Sequence, residues 1–142
     1  MSQIVEAIAL IMDVYSWFNQ IADPKVAYGR GDLEKYFTRD FTMQVNDNVV
    51  LEGYDNLFEY LSSFRKENKI LHIHLPLEEI IISSDFRKCV ARYNLTITLP
   101  SKNVEIFNVI AILHISNDHR LDRMNEVVHV RKNVENKRLR AH

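Results

Sequence analysis

This chain is poor in the residues that specialised frameworks require. Its single cysteine, Cys89, excludes a disulfide framework and a Cys-rich zinc site, and suits a reducing compartment. Its three glycines, Gly29, Gly31 and Gly53, cannot assemble a phosphate-binding loop or a full dinucleotide-binding glycine motif. Long apolar runs are missing too. The longest in the first segment, Ala7 to Met12, falls far below the roughly 20 residues of a membrane span. Glu6 and Asp13 flank it and no basic segment precedes it, so the sequence predicts neither a signal peptide nor a membrane partner, and a cytoplasmic location. Neither sign of charge dominates: 18 basic residues against 19 acidic ones give a net charge of −1, which argues against a nucleic-acid partner.

What is present is the material of an ordinary core. The 142 residues are 46% hydrophobic, 26% charged and 10% aromatic. A chain of this size buries roughly 68–70% of its unfolded surface without staples. One domain is expected over residues 1–132, followed by a flexible basic tail, 133–142, carrying Lys137, Arg138 and Arg140.

The hydrophobic pattern predicts helices first and strands after them. Ile4, Ile8, Ile11, Tyr15, Phe18 and Ala22 recur at helical spacing behind a capping Ser2, and Asp23-Pro24 stops the run. Asp32 caps a short second helix through Leu33, Tyr36 and Phe37. Phe41, Met43 and Val45 alternate up to the turn formers Asn46-Asp47-Asn48, which reads as a hairpin. A third helix runs from Gly53 and Asp55 to about Asn68 through Leu57, Phe58, Leu61 and Phe64. Four long β-rich runs then follow, residues 70–83, 86–99, 104–116 and 120–131, joined by short turns as in an antiparallel meander. Helices segregated from a sheet define an α+β domain.

This order, with Asp32-Leu33-Glu34-Lys35-Tyr36-Phe37 before a first strand, Glu52-Gly53-Tyr54-Asp55-Asn56-Leu57 opening the third helix, Cys89-Val90-Ala91-Arg92-Tyr93 and a closing hairpin from Ile110 to Met124, resembles the nuclear transport factor two-like (NTF2-like) fold. It looks most like the SnoaL-like branch, relatives of polyketide cyclases and ketosteroid isomerase. The resemblance implies a cone-shaped roll: three helices close a curved, mainly antiparallel sheet over an apolar cavity with a few polar groups. It also implies pairing of the outer sheet face with a second subunit. The residues agree, because Ile106, Ile110 and Ile112 lie on one face of a strand whose other face carries Phe107, Val109, Leu113 and Ile115. A homodimer through the sheet is the expectation.

Several residues are candidates for the cavity. His72 and His74 point to one side of a strand, as proton-transfer groups or as partly exposed histidines, and no further ligand completes a metal site. Arg92 and Asn94 interrupt an apolar run and either face the cavity or pair with a structural carboxylate. Tyr15 and Trp17 on the first helix are core or cavity lid. Polyketide cyclases of the SnoaL type place an acidic base on the last strand, where Glu126 is the nearest acid here. As a base it needs an apolar setting to raise its pKa. The ketosteroid isomerase pattern fits poorly: its base falls near Val45 or Asn46, and its aspartate donor falls on Ala111.

The sequence therefore points to a cavity for a small, largely apolar organic molecule, with Tyr15, Trp17, His72, Arg92 and Asn94 binding it. If the protein is an enzyme, it is a cofactor-free isomerase, cyclase or dehydratase using His74 and Glu126, with no metal. The alternative is a non-enzymatic dimerisation or protein-binding scaffold whose cavity is filled by side chains.

Overall fold

Ser2 caps the first helix as its position predicts, its hydroxyl accepting the Val5 N–H at 3.3 Å. The computed structural model describes residues 2–134. In chain order they form α1 (Gln3–Ala22), α2 (Arg30–Tyr36), β1 (Phe37–Val45), β2 (Asn48–Glu52), α3 (Gly53–Lys66), β3 (Ile70–Ile73), β4 (Glu79–Ile82), β5 (Lys88–Thr98), β6 (Val104–Ile115) and β7 (Leu121–Val134). α1 ends at Asp23 before the proline. α2 begins one turn earlier than Asp32 suggests: Gly29 is its N-cap, and the Asp32 carboxylate accepts the Gly29 N–H at 2.8 Å. Gly53 has φ +80°, a conformation costly to any residue with a Cβ, where β2 turns into α3.

All the strands join one sheet in the order β2-β1-β7-β6-β5-β3, with β4 also on β5. Every pairing is antiparallel except β1 with β7, so the sheet is mainly antiparallel and the fold is the expected α+β roll. The long β-run expected over residues 70–83 is two strands. β3 and β4 both pair with β5, and the interval between them holds Pro76, whose missing N–H cannot join a ladder. β7 runs to Val134, two residues into the segment assigned to a tail, and the rest of that segment lies outside the described residues.

Side-chain parity splits the sheet into two faces. Cys89, Ala91 and Tyr93 on β5, Val109, Ala111 and Leu113 on β6, and Met124 on β7 are buried under the helices. Beneath α1 this core joins Ile11, Val14 and Tyr15, and it reaches Leu33, Phe37 and Phe41. The opposite face is outward. Two asparagines complete backbone that the sheet leaves open. Asn19 on α1 accepts the Ile73 N–H at 2.7 Å and donates to the Ile73 carbonyl at 2.8 Å, doing for edge strand β3 what a neighbouring strand would do. Asn46, in the β1–β2 turn with φ 49°, does the same for Val128 on β7.

Two turns at one end of the sheet have nearly the same construction. In Ser83-Ser84-Asp85-Phe86-Arg87 and Ser116-Asn117-Asp118-His119-Arg120 the first serine hydroxyl donates to the aspartate. The fourth residue has positive φ and donates its N–H to the serine carbonyl. The turns lie side by side, joined by Arg87 to the Asn117 side chain and by Ile115 N–H to the Arg87 carbonyl.

Candidate active site

The row of residues across the inner face that contains Glu126 is short of side-chain volume. Ala91 pairs with Ala111, Ala111 with Glu126, and Glu126 with Val45 on the parallel strand β1. Two methyl groups therefore stand where larger side chains would close the space above the sheet. Tyr93, one row along on β5, reaches past β6, and its hydroxyl donates to Glu126 Oε2 at 2.8 Å. The backbone holds Glu126 from the other side, where its carbonyl accepts the Asn46 N–H at 2.8 Å.

This carboxyl group lies in a cavity of about 80 Å³ between α1, α3 and the inner sheet face. Phe18 and Ile21 line it from α1, Tyr60 and Phe64 from α3, and Leu71 and Leu95 from the sheet. Burial raises the Glu126 pKa above the usual carboxylate value, and the Tyr93 hydrogen bond opposes that rise. Tyr93 and Tyr15 are pushed well above the ordinary phenol value by burial first and by the Glu126 charge second. Tyr60 is pushed up to about 12 for the same two reasons. Arg65 is the one basic residue in the lining, and it is committed elsewhere. Its guanidinium donates to the carbonyls of Ile21 (2.8 Å), Asp23 (2.9 Å) and Val26, capping the end of α1. Among the described residues, then, no cation offsets the rise that burial gives the Glu126 pKa.

The other sequence candidates lie elsewhere. Arg92 and Asn94 do not face the cavity. They stand on the outer face, where Arg92 pairs with Glu78 at 2.6 Å and Glu79 at 3.0 Å, and Asn94 donates to Glu78 at 2.7 Å. His72 and His74 are neighbours, their rings 5.0 Å apart, but both are exposed, whereas Leu71 and Ile73 between and beside them line the cavity. Among the described residues no three His, Cys, Asp or Glu side chains come together as metal ligands. Trp17 is buried among Phe18, Tyr28, Tyr36 and Phe37, as core rather than lining. Tyr15 is fully buried, its ring 4.8 Å from that of Tyr93. Its hydroxyl has no partner in hydrogen-bond geometry, yet the two phenols are close enough to shift each other's ionisation. Ala111, where the isomerase pattern expects an aspartate, is a buried alanine whose neighbour in the next strand is Glu126. Cys89 is buried, its thiol pushed up to about 11, which removes it as a nucleophile.

Sequence reasoning passed over two residues of the cavity, Tyr93 and Tyr60. Tyr93 shares strand parity with Cys89, Ala91 and Leu95, the apolar side of β5. Tyr60 sits at helical spacing from Leu57, Leu61 and Phe64 on the apolar side of α3. A phenol within an apolar stripe was the available signal.

No family model and no curated protein matches the sequence. Solved structures do match. A candidate polyketide cyclase from Xanthomonas campestris pv. campestris is 12% identical, with a TM-score of 0.70 over 89% of this chain and 92% of the other. The epoxide hydrolase/cyclase-like enzyme SalBIII, of pyran ring formation in the polyether salinomycin, is 13% identical, with a TM-score of 0.71 over 94% and 99%. An NTF2-like protein of unknown function from an Exiguobacterium species is 14% identical, with a TM-score of 0.67 over 83% and 97%. At such identities the likeness is one of backbone, and it establishes that this chain has the NTF2-like fold, in the form also taken by SnoaL-like polyketide cyclases.

Proposed function

We propose that the cavity takes a small, largely apolar organic molecule and that Glu126 exchanges a proton with it, without a cofactor, in an isomerisation, cyclisation or dehydration. One observation carries this reading: a carboxyl group in an otherwise nearly apolar cavity, its pKa raised by burial, held by a buried phenol at 2.8 Å. Raising a carboxyl's pKa by burial makes it a stronger base and brings it closer to the range in which one group both gives and takes a proton. SalBIII, an enzyme of ring formation with the same fold, supports the reaction class. The cavity volume of about 80 Å³ is below the roughly 300 Å³ of common ligand sites, so the molecule is small or displaces Phe18 or Phe64.

The test combines native mass spectrometry and thermal-shift screening of small ketones, enones and epoxides with deuterium uptake from solvent into whichever compound binds. Binding to the native state raises the melting temperature of both the wild type and Glu126→Gln. Deuterium uptake or turnover appears in the wild type alone. A panel without any shift, or equal turnover in Glu126→Gln, overturns the assignment.

A second reading has an observation of its own. Ile110, Ile112 and Val127 on the outer face are 46%, 40% and 61% exposed, a strip that a second copy of the chain would cover. In this reading the protein is a homodimeric scaffold with a vestigial cavity, and an empty thermal-shift panel combined with a dimer is its signature.

A further inference from the structure

His72 and His74 take no part in the cavity, yet the fold sets them up as a pair. They flank Ile73 at the end of β3, so both rings leave the chain on one side, the outer face that also carries Asn94 and Thr96 of β5. The backbone bearing them is held from both sides. Toward β5, His72 is paired with Thr96 and the His74 N–H donates to the Asn94 carbonyl at 3.0 Å. At the free edge, the Asn19 side chain takes both backbone groups of Ile73. The two rings are exposed, with centroids 5.0 Å apart and planes at 77°. On the same face, Asn94 donates to Glu78, and Glu78 and Glu79 share Arg92. Two carboxylates against one guanidinium leave a local charge that favours a cation.

We infer that His72 and His74 chelate one divalent transition-metal ion of the nitrogen-preferring kind, Ni2+, Cu2+ or Zn2+, on the outer face of the sheet. This site is separate from the cavity and does not depend on the function proposed above. Metal–imidazole bonds of about 2.0–2.1 Å put each ring centroid about 3.2 Å from the ion. Two such rings stand about 4.5 Å apart when the N–metal–N angle is a right angle and about 5.2 Å apart at the tetrahedral angle. The observed 5.0 Å lies inside that window. The centroid of an imidazole falls nearly on its Cβ–Cγ axis, and χ2 of histidine is a soft torsion, so turning the rings re-aims their nitrogens with the centroids in place. Among the described residues no three His, Cys, Asp or Glu side chains form a metal-binding group, so water completes the coordination. Such a donor set suits late transition ions and not Mg2+ or Ca2+, which demand oxygen ligands. Because the β3 backbone is pinned, the second nitrogen binds at high effective concentration once the first is attached.

Calorimetric titration of the untagged protein with Ni2+ and Zn2+, with Mg2+ as control, compares the wild type with His72→Gln, His74→Gln and the double variant. The expected result is one Ni2+ per chain in the wild type, an affinity lower by at least about tenfold in either single variant, and loss of the site in the double variant. Mg2+ gives no binding at the same concentrations. In NMR spectra, Ni2+ broadens the ring protons of His72 and His74 before those of His114, His119 and His129. Melting temperatures measured without metal report that the variants fold, as substitutions at two exposed rings should allow. Nickel affinity that survives the double substitution overturns the inference. So does a loss in one single variant and not the other, which is the behaviour of a lone imidazole beside a mere ring contact. A stoichiometry of one ion per two chains assigns the metal to a site shared between copies, and equal binding of Mg2+ reduces the pair to a patch of negative charge; either result overturns the chelate.

Discussion

Glu126 loses water on folding, and its native pKa stands above its unfolded one. The native state therefore holds its proton more tightly than the unfolded chain does, so its contribution to stability falls as pH rises from the unfolded value through the raised native one. Glu126→Gln removes that slope. Urea denaturation from pH 4.5 to 8 is expected to show the variant gaining on the wild type as pH rises, by about 1.4 kcal/mol for each unit by which folding raises the pKa. An unchanged difference across the range contradicts a raised native pKa for Glu126. Residue by residue, the site was half legible. Glu126 came into view through the resemblance, which places an acidic base on the last strand, and the residues around it left a sheet-surface carboxylate near Arg123 or Arg131 equally open. Arg92 and Asn94 misled for a physical reason: polar groups at alternate positions of a strand mark the face that meets water, and this cavity is built from the other face. Tyr93 and Tyr60 went unread because a buried phenol and a core ring look alike in sequence.

At the scale of elements, turns and caps were the most legible features, since their chemistry is local. Asn46-Asp47 adopts positive φ at both positions, as a two-residue hairpin requires. The division of β3 from β4 was signalled by Pro76 and outweighed by the apolar residues around it. The asparagine contacts were invisible, because Asn19 meets Ile73 only once helix and sheet have docked. That contact is strong for a single side chain: Asn19→Ala leaves both the N–H and the carbonyl of Ile73 unpaired in a half-buried setting. Equilibrium unfolding should show a loss of about 1–3 kcal/mol, with hydrogen exchange accelerated in β3 ahead of β6.

For the whole molecule, one sheet serves two environments, a covered inner face and an outer face with an exposed apolar strip. Ile110 and Val127 are directly opposed on β6 and β7, so a charge at either enters the centre of that strip. Val127→Lys is expected to convert a dimer into a monomer in sedimentation equilibrium, with cavity binding retained. A wild type that sediments as a monomer removes the proposed interface. That the roll could be read at all from a chain only 10 to 19% identical to the structures it matches follows from what specifies it: parity, turn residues and the order of elements, rather than particular side chains.

The pair of alanines in the Glu126 row has a consequence for acidity. Tyr93 reaches Glu126 by passing over β6 beside Ala111, a clearance that one small side chain provides. Ala111→Val adds two methyl groups to that path without altering charge. The phenol is then displaced, Glu126 loses the interaction that lowers its pKa, and its titration by NMR moves upward. The proton affinity of this carboxyl is thus tuned by hydrocarbon on a neighbouring strand, a steric dial that evolution or a designer can turn one carbon at a time.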